Sequence, residues 1–262
     1  MKDDDFFDDS SSYLVTVSDI MSGLLFVFII TLMAFVINFQ HEIEKAHEQL
    51  IKLEQEKNHL AEISEQLTNA QKIRGILLKE IKKRLKKHNI DVEININHGV
   101  LRLTEDAIRF TSGSANLANV YQKKLAILAK VLAEILPCFS TSPKPKQTCN
   151  PNYHGKLDAV FIEGHTDNVP ISGASDNWEL SAQRAINTYR LLIKVEPVLL
   201  QIKNTLVEPL FSVTGYGEDR PLTEHKNPTN DPKNRRIELR FIMTPPKTNH
   251  QLVKALKASG LQ

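Results

Sequence analysis

The chain has 262 residues and a formal net charge of +2. That length suits one or two domains, and the near-neutral balance argues against a nucleic-acid-binding protein driven by bulk positive charge. Two cysteines, Cys138 and Cys149, are too few for a disulfide-built scaffold or a four-thiolate zinc site. Local charge is uneven, because residues 1–12 contain five aspartates and one lysine, whereas residues 79–87 contain six basic residues and one glutamate.

The apolar segment at residues 13–39 predicts a transmembrane helix. Its only ionisable side chains are Tyr13 and Asp19, and about 20 apolar residues are enough to cross the hydrocarbon core of a bilayer. A cleavable signal peptide needs a basic start and a small-residue cleavage site. Here an acidic start precedes the segment, which continues into N-F-Q-H-E-I-E-K. We therefore interpret it as a retained single-pass anchor that follows an acidic tail of residues 1–12.

Asp19, near the start of the apolar segment, has two interpretations. A carboxylate inside a bilayer costs about 2.5–3.5 kcal/mol on insertion scales, so such residues usually face protein or a water path. Ser22 and Gly23, three and four residues later, share its helix face and offer a small, partly polar surface to a partner helix. Alternatively, Ser18 or Asp19 caps the helix at the membrane interface.

Residues 40–90 predict a helical linker with a coiled-coil pattern. No proline interrupts the stretch from His41 to Lys87, and Gly75 is its weakest helical position. Polar residues at four seam positions predict an imperfect coil, paired best in its first half, and a single amphipathic helix lying on a domain is the alternative. The apolar seam comprises Ile43, Ala46, Leu50, Leu53, Leu60, Leu67, Leu78, Ile81 and Leu85, and the polar positions are Lys57, Ser64, Gln71 and Arg74.

The basic cluster at residues 79–87 lies at the end of this predicted helix. Its sequence, K-E-I-K-K-R-L-K-K, has one acidic residue. Charged runs on helices are usually solvated faces. We favour that interpretation, with a site for an anionic polymer as the alternative.

Residues 91–243 predict a compact α/β (α+β) domain, long enough to bury its own core. Alternating apolar and polar residues at 92–96 predict a half-buried strand, which a turn at His98-Gly99 joins to a returning strand, V-L-R-L. A Pro-rich loop lies between the two cysteines. The later predicted elements are a helix at 117–136 ended by Pro137, a strand at 157–163, a helix from Leu180 to about Lys194, strands at 211–214 and 237–242, and a tail at 244–262.

The segment from Glu163 to Arg184 carries the strongest chemical signal: E-G-H-T-D-N-V-P-I-S-G-A-S-D-N-W-E-L-S-A-Q-R. A strand end and a helix start converge here with Asp167, Asn177 and Arg184 as polar groups. Free N–H groups at a helix start and an arginine both favour a carboxylate, whereas an aspartate can hold an ammonium group, so the set suits a zwitterionic ligand. The alternative is an ordinary turn with a surface ion pair between Asp167 and Arg184.

Other chemistries have little support in the sequence. His165 and Asp167 are two candidate metal ligands without a third. No Ser-His-Asp set or acidic pair stands at a recognisable spacing. We therefore expect no metal, no cofactor and no enzymatic activity.

This segment, with G-Y-G-E-D-R-P at 215–221 and N-D-P-K-N-R-R-I-E-L at 230–239, resembles the OmpA-like peptidoglycan-binding domain. The resemblance rests on the T-D motif, the N-x-x-L-S-x-x-R-A helix start, G-Y-G-x-x-x-P and N-R-R, and it implies a βαβαβ fold. It also implies that Asp167 and Arg184 grip the free end of diaminopimelate in the cell-wall stem peptide. The implied neighbours are Thr166, Asn177, Leu180 and Arg235. The longer loop V-P-I-S-G-A-S-D and the Pro-rich insert depart from the commonest form.

The whole architecture resembles the MotB-type subunits of ion-driven membrane motors: a short tail, one membrane helix with an Asp near its start, a linker and a wall-binding domain. The resemblance implies a bacterial inner-membrane protein with a cytoplasmic N-terminus and a periplasmic domain. Two copies would sit inside a ring of five multi-pass MotA-like subunits, and Asp19 would carry a proton or a sodium ion.

The acidic tail and the long linker favour one branch of this family, the ZorB-type subunits of the Zorya anti-phage defence system. A flagellar or gliding-type motor subunit and a passive cell-wall tether without ion flow are the alternatives. In the oxidising periplasm we expect Cys138 and Cys149 to form a disulfide, with two unpaired thiols as the other possibility.

Overall fold

The structure, a computed structural model, describes residues 6–104, 106–145, 148–171 and 176–246, with side chains from Tyr13 onward. Residues 1–5 of the acidic tail, the middle of the loop V-P-I-S-G-A-S-D and most of the tail at 244–262 therefore lie outside the described residues. The chain divides into two compact units, Met1–Glu62 and Ile63–Gln262.

The first unit contains the N-terminal part of helix α1, which spans Phe6–Lys86. An 18-residue window near its N-terminus has a mean hydropathy of 2.8, so α1 is the one helix in the described residues long and apolar enough to cross a membrane. The hydroxyl of Thr31 donates to the carbonyls of Val27 and Phe28 at 3.1 and 2.9 Å. This polar group is thus satisfied within the helix, as a bilayer requires. The predicted transmembrane segment is helical and remains a candidate span.

The second unit is built on a five-stranded sheet with the order β1-β2-β5-β3-β4. Strands β3 and β4 are parallel, and every other neighbouring pair is antiparallel. This α+β arrangement confirms the predicted fold class. Its strands are β1 (Val92–Asn95), β2 (Val100–Leu103), β3 (Leu157–Gly164), β4 (Phe211–Gly215) and β5 (Ile237–Met243), and its helices are α2 (Asn119–Ile135) and α3 (Asn177–Val195), with 3-10 turns at Leu136–Cys138, Pro151–Tyr153 and Pro197–Gln201.

Apolar and charged side chains alternate along the strands, so the sheet has one apolar face and one charged face. On β5, Ile237, Leu239 and Phe241 are fully buried and belong to the same core cluster as the apolar residues of α2 and α3. Glu238 and Arg240 lie between them and take part in ion pairs. The helices therefore cover the apolar face, and charged side chains occupy the other.

The C-terminal part of α1 belongs to the core of the second unit. Its side chains at Ile73, Leu77, Leu78, Ile81 and Leu85 are at most 3% exposed and are members of the core cluster. The heptad pattern assigns three of them to a coiled-coil seam, but a residue buried against its own domain cannot also face a second helix. The core cluster of the second unit thus includes residues of α1 that precede the predicted domain start at residue 91. The seam from Ile43 to Leu67 is exposed, and its pairing stays a prediction.

Gly75 lies where α1 approaches the β1–β2 hairpin. A Cβ atom at this position would stand 3.3 Å from Cγ2 of Ile96. Next to it, Nη2 of Arg74 donates to the carbonyl of Asn97 at 2.7 Å. The weakest helical position in the sequence is therefore a position where a small residue permits close packing.

The insert between α2 and β3 is closed by the expected disulfide. Cys138 and Cys149 are bonded, with their Cα atoms 5.5 Å apart. The rings of Phe139 and Tyr153 stack at a centroid distance of 5.2 Å. The amide of Leu157, the first residue of β3, donates to the carbonyl of Phe139 at 2.9 Å, so the insert is tied to the start of the central strand.

Ile81→Ala should lower the free energy of unfolding of the second unit by about 2–5 kcal/mol, because it removes a fully buried side chain and leaves a cavity. Leu53→Ala, at an exposed seam position of the first unit, is the matched control and should leave it unchanged. Urea unfolding followed by the fluorescence of Trp178, the only tryptophan of the chain, measures both. Equal urea midpoints for the two variants would exclude this part of α1 from the core.

Candidate ligand-binding site

The candidate site forms where β3 and β4 end and α3 begins. A Cβ atom at Gly164 would lie 1.9 Å from the carbonyl oxygen of Ser181, and one at Gly215 would lie 2.4 Å from its Oγ. Gly217, with a φ of +53°, approaches the indole of Trp178, whose Cδ1 would stand 3.2 Å from an added Cβ. Only glycines allow these approaches, so the first turns of α3 rest directly on the strand ends.

The start of α3 is fixed by two side chains. Asp176 is the N-cap, and its Oδ1 accepts from the amide of Glu179 at 2.8 Å. Asn177, the first helical residue, is buried, and its Nδ2 donates to the carbonyl of Val169 at 3.1 Å. The predicted site residue Asn177 therefore ties the loop after β3 to the helix start.

Asp167 forms a buried ion pair with Arg235. Nη1 of Arg235 lies 2.6 Å from Oδ2 of Asp167, and the two side chains are 9% and 5% exposed. The same Nη1 also contacts Oδ1 of Asn230, a residue that the sequence analysis does not include although it opens the N-D-P-K-N-R-R motif. The backbone amide of Thr166 is held by the carbonyl of Gly217 at 2.9 Å.

Two buried polar atoms of this group have no hydrogen-bond partner among the described residues. They are Oγ1 of Thr166 and Nε of Arg235. Buried polar groups nearly always have partners, and an unpaired one is costly. Atoms of this kind beside a buried ion pair are candidate partners for the polar groups of a ligand.

Arg184 lies fully buried on α3 and holds a distant loop. Its Nε and Nη2 donate to the carbonyls of Ser114 and Thr111 at 3.0 and 3.1 Å, and Nη1 reaches the carbonyl of His165 at 3.4 Å. The guanidinium also stands 5.0 Å from the ring centroid of Phe110. Each terminal nitrogen has two N–H groups and uses one of them in these bonds, so further donors exist for a carboxylate.

The charge of Arg184 is set by its surroundings. Burial and the like charge of Arg235 lower its pKa to about 10, while Asp167 acts in the opposite direction. At neutral pH the guanidinium therefore remains protonated. The ion pair considered from the sequence, between Asp167 and Arg184, is not among those of the described residues, because Arg235 occupies the carboxylate instead.

The structure thus brings Thr166, Asp167, Asn177 and Arg235 together at the strand ends. Leu180 is half-buried in the first turn of α3, and its amide donates to the carbonyl of Asp176. The roles of these residues in binding stay predictions.

The other predicted site lies on α1 in the first unit. Asp19, Ser22 and Gly23 are exposed there, and an added Cβ at Gly23 would meet no atom within 4 Å. Nothing within this unit therefore requires a small residue at position 23.

The charged face of the sheet carries an ion-pair network that the sequence analysis does not predict. Glu238 accepts from Nε of Arg236 and Nε of Arg102, each at 2.7 Å. Glu163 accepts two bonds of 2.7 Å from Arg240. Burial alone would raise the pKa of Glu238, but the two arginines lower it to about 2. The charged residues of I-E-L-R-F at 237–241 are the sequence signal for this face.

His165 stands inside this network with both ring nitrogens buried and without hydrogen-bond partners in the described residues, although its Nε2 lies 3.9 Å from Oε2 of Glu238. Together with Glu163 and Glu238 it forms a group whose ligand atoms lie within 4.8 Å of one another, a spacing compatible with a metal ion. Both carboxylates, however, are already bound by arginines, whose charges oppose a cation. Burial and Arg236 also lower the pKa of His165 to about 3. We interpret the group as an ion-pair network around a neutral imidazole.

Residues 147–235 match the family model described as OmpA family. This chain carries an OmpA-like domain. Motility protein B of Bacillus subtilis (strain 168) is 31% identical over 166 residues, which cover 63% of this chain and 52% of that protein. The chain thus spans about half the length of this relative.

Two further comparisons extend the similarity. The uncharacterized protein YtxE of the same organism is 24% identical over 245 residues, 88% of each chain. A crystal structure of a MotB like protein from Desulfovibrio vulgaris is 22% identical, with a TM-score of 0.47, over 68% of this chain and 98% of that one. Over the matched residues the chain is thus similar to the OmpA family and to Motility protein B.

Acidification from pH 7.5 to 5 should lower the free energy of unfolding through His165. Its pKa is about 3 in the folded protein and about 6.5 in an unfolded chain, so over this range only the unfolded state gains the proton. The loss should be about 2 kcal/mol. Urea unfolding at several pH values, followed by Trp178 fluorescence, measures it.

The control for this prediction is His154→Gln, at an exposed histidine, which should keep the pH dependence. His165→Gln should flatten it. Because His165→Gln removes a buried ring and can prevent folding, NMR of the wild-type imidazole provides a second test. A His165 ring that protonates above pH 5 in the folded chain would contradict the prediction.

Proposed function

We propose that the chain is a peptidoglycan-anchored, MotB-like subunit of an ion-driven rotary motor in the bacterial inner membrane. The observation that carries the proposal is the buried Asp167–Arg235 pair beside unpartnered donors in an OmpA-like domain. The candidate membrane helix, with Asp19 near the start of its apolar segment, adds support. So does the identity of 31% to Motility protein B.

In this proposal the ligand is the free, zwitterionic end of the cell-wall stem peptide. Its ammonium group binds the carboxylate of Asp167, which Arg235 orients from the other side. Its carboxylate accepts hydrogen bonds from Arg184 and from Nε of Arg235. The hydroxyl of Thr166 then gains the partner that it lacks within the described residues. Charge-assisted hydrogen bonds of this kind are the strongest that a neutral-pH site can offer.

Asp167→Asn should weaken binding to purified peptidoglycan about 10-fold to 100-fold, because hydrogen bonds to a charged group contribute about 1.5–3 kcal/mol. Asp91→Asn, at an exposed residue before β1, is the matched control and should bind normally. Co-sedimentation with sacculi measures both. Since Arg235 loses its partner in the variant, Trp178 fluorescence must first show a folded domain. Wild-type co-sedimentation of folded Asp167→Asn would remove Asp167 from the site.

The other half of the proposal concerns the membrane segment. Two copies of the chain pair through the exposed seam from Ile43 to Leu67 and sit inside a ring of five MotA-like subunits. Asp19 carries the proton or sodium ion, and Ser22 and Gly23 provide the small surface next to it. One elementary charge that crosses the membrane gains about 2.3 kcal/mol per 100 mV. Alternate neutralisation of the two aspartates biases rotation of the ring, while the wall contact holds this subunit still.

We further propose that the motor serves Zorya-type anti-phage defence. The acidic tail of residues 1–12 and the long predicted linker support this branch over a flagellar-type stator subunit. In that role the motor responds to phage damage at the envelope and signals to effectors in the cytoplasm. A passive wall tether shares the wall-binding domain but requires no ion at Asp19.

Asp19→Asn should abolish phage protection and ion flux in cells that also express the ring subunit, while wall binding and copurification with the ring persist. The side-chain amide of asparagine has no carboxylate that could bind and release the ion. Glu42→Gln, an exposed carboxylate on the same helix beyond the apolar segment, is the control. Plaque counts and flux measurements decide the outcome. Full protection by Asp19→Asn would exclude ion transport at this residue. A wild-type chain that restores swimming but gives no protection would identify a flagellar-type subunit.

A further inference from the structure

A groove lined by lysines lies between α1 and α2 in the second unit. One cavity of about 450 Å³ is lined by Lys83 from α1, by Lys87 in the turn that follows it and by Lys130 from α2. An adjoining cavity of about 460 Å³ shares Lys83 and extends along α1 to Lys79. We call the two together the cationic groove, with Lys79, Lys83, Lys87 and Lys130 as its lysines.

The two carboxylates of this groove are both bound by one arginine. Arg84 places Nε 2.9 Å from Glu80 and Nη1 2.6 Å from Glu134, across the two helices. These hydrogen bonds, that to Glu80 first, raise the pKa of Arg84. Arg84 therefore pairs with both acids, and four lysines with Arg84 against two glutamates leave the groove with a formal charge of +3.

The groove lysines form a row with a regular repeat. Lys79 and Lys83 are about one helical turn apart on α1, a rise of about 6 Å, and Lys87 follows four residues later in the turn after the helix; all three are exposed. Lys130 is exposed on the opposite wall. Within the described part of the chain, no ion pair involves any of these four lysines. The row thus presents charge at repeated intervals along a concave surface.

Stabilisation of the helix dipole explains only part of this arrangement. Cations near the C-terminus of a helix are favourable, and Lys83 stands in the last turn of α1. Lys79 lies a full turn earlier, and Lys130 lies in the second half of a different helix. The groove therefore concentrates cations beyond what the end of α1 requires.

We propose that the cationic groove binds a linear, phosphate-bearing polymer of the cell envelope. A lysine ammonium group is a point charge that suits phosphate, whereas the fork of an arginine matches a carboxylate. In this groove the arginine is bound to carboxylates and the lysines are the cations left for a ligand. Their repeat suits a chain of regularly spaced phosphates, and the concave shape suits a single chain better than a flat membrane. This contact is separate from the site at Asp167, but the envelope source of the polymer rests on the periplasmic location in the proposed function.

The test uses the full chain in detergent and a fluorescently labelled polyphosphate chain, with binding followed by anisotropy. If four phosphates are neutralised, the affinity should fall about 50-fold between 50 and 200 mM salt. The triple variant with Lys83→Ala, Lys87→Ala and Lys130→Ala should bind at least tenfold more weakly at 50 mM salt. The control removes the same charge at exposed lysines outside the groove, with Lys72→Ala, Lys156→Ala and Lys226→Ala, and should bind as the wild type does.

Four results would overturn the proposal. The first is equal affinity of the groove variant and the wild type, and the second is an equal loss in the control variant. The third is labelled polyglutamate binding as tightly as polyphosphate, since a carboxylate polymer would then serve as well. The fourth is displacement of the polymer by soluble short-chain phosphatidylglycerol at equal phosphate concentration, which would identify a lipid headgroup. Asp167→Asn should bind the polymer normally. The polyphosphate result can therefore be interpreted even if Asp167 proves not to bind peptidoglycan.

Discussion

The close approach of α3 to the ends of β3 and β4 is the constraint on which the candidate site depends. A side chain at Gly164 or Gly215 would overlap the first turns of the helix, so the helix would have to move outward by ångströms. The loop after β3 would then no longer be held between the helix start and the carbonyl of Gly217. Asp167 and Arg184 come from separate elements, and the contact between helix and strand ends is what brings them near one another.

The second unit buries many charged side chains. Those that are fully paired stabilise the fold, and those that are incompletely paired are candidates for ligand binding. On the charged face of the sheet, Glu163 and Glu238 each accept two hydrogen bonds from arginines. Buried charges of this kind are tolerated because they are paired. At the strand ends the pairing is incomplete, because Arg235 has an unused Nε beside Asp167. The same chemistry stabilises the sheet in one place and leaves donors for a ligand in the other.

The sequence predicted the elements of the domain well because their signals are local. Periods of 2 and 3.6, Pro137 after α2 and the T-D and N-R-R motifs each depend on a few neighbouring residues. The partners of the buried arginines were not predictable, since Arg184 bonds carbonyls some 70 positions away and any residue type supplies a carbonyl. The spacing of Leu78, Ile81 and Leu85 correctly predicted an apolar helix face. Spacing alone, however, does not show whether that face packs against a second helix or against the domain of the same chain.

The use of α1 by the core also limits where two copies can pair. Beyond Leu67 the next seam positions are Gln71 and Arg74, and Arg74 donates to the carbonyl of Asn97 within its own domain. From Ile73 onward the apolar side chains of α1, except Ile76, are buried in that domain. Pairing along residues 43–67 competes with none of these contacts, whereas pairing further along would expose core side chains, each worth about 1.5–3 kcal/mol of burial. Two of the four polar seam residues, Gln71 and Arg74, therefore stand where pairing has to stop.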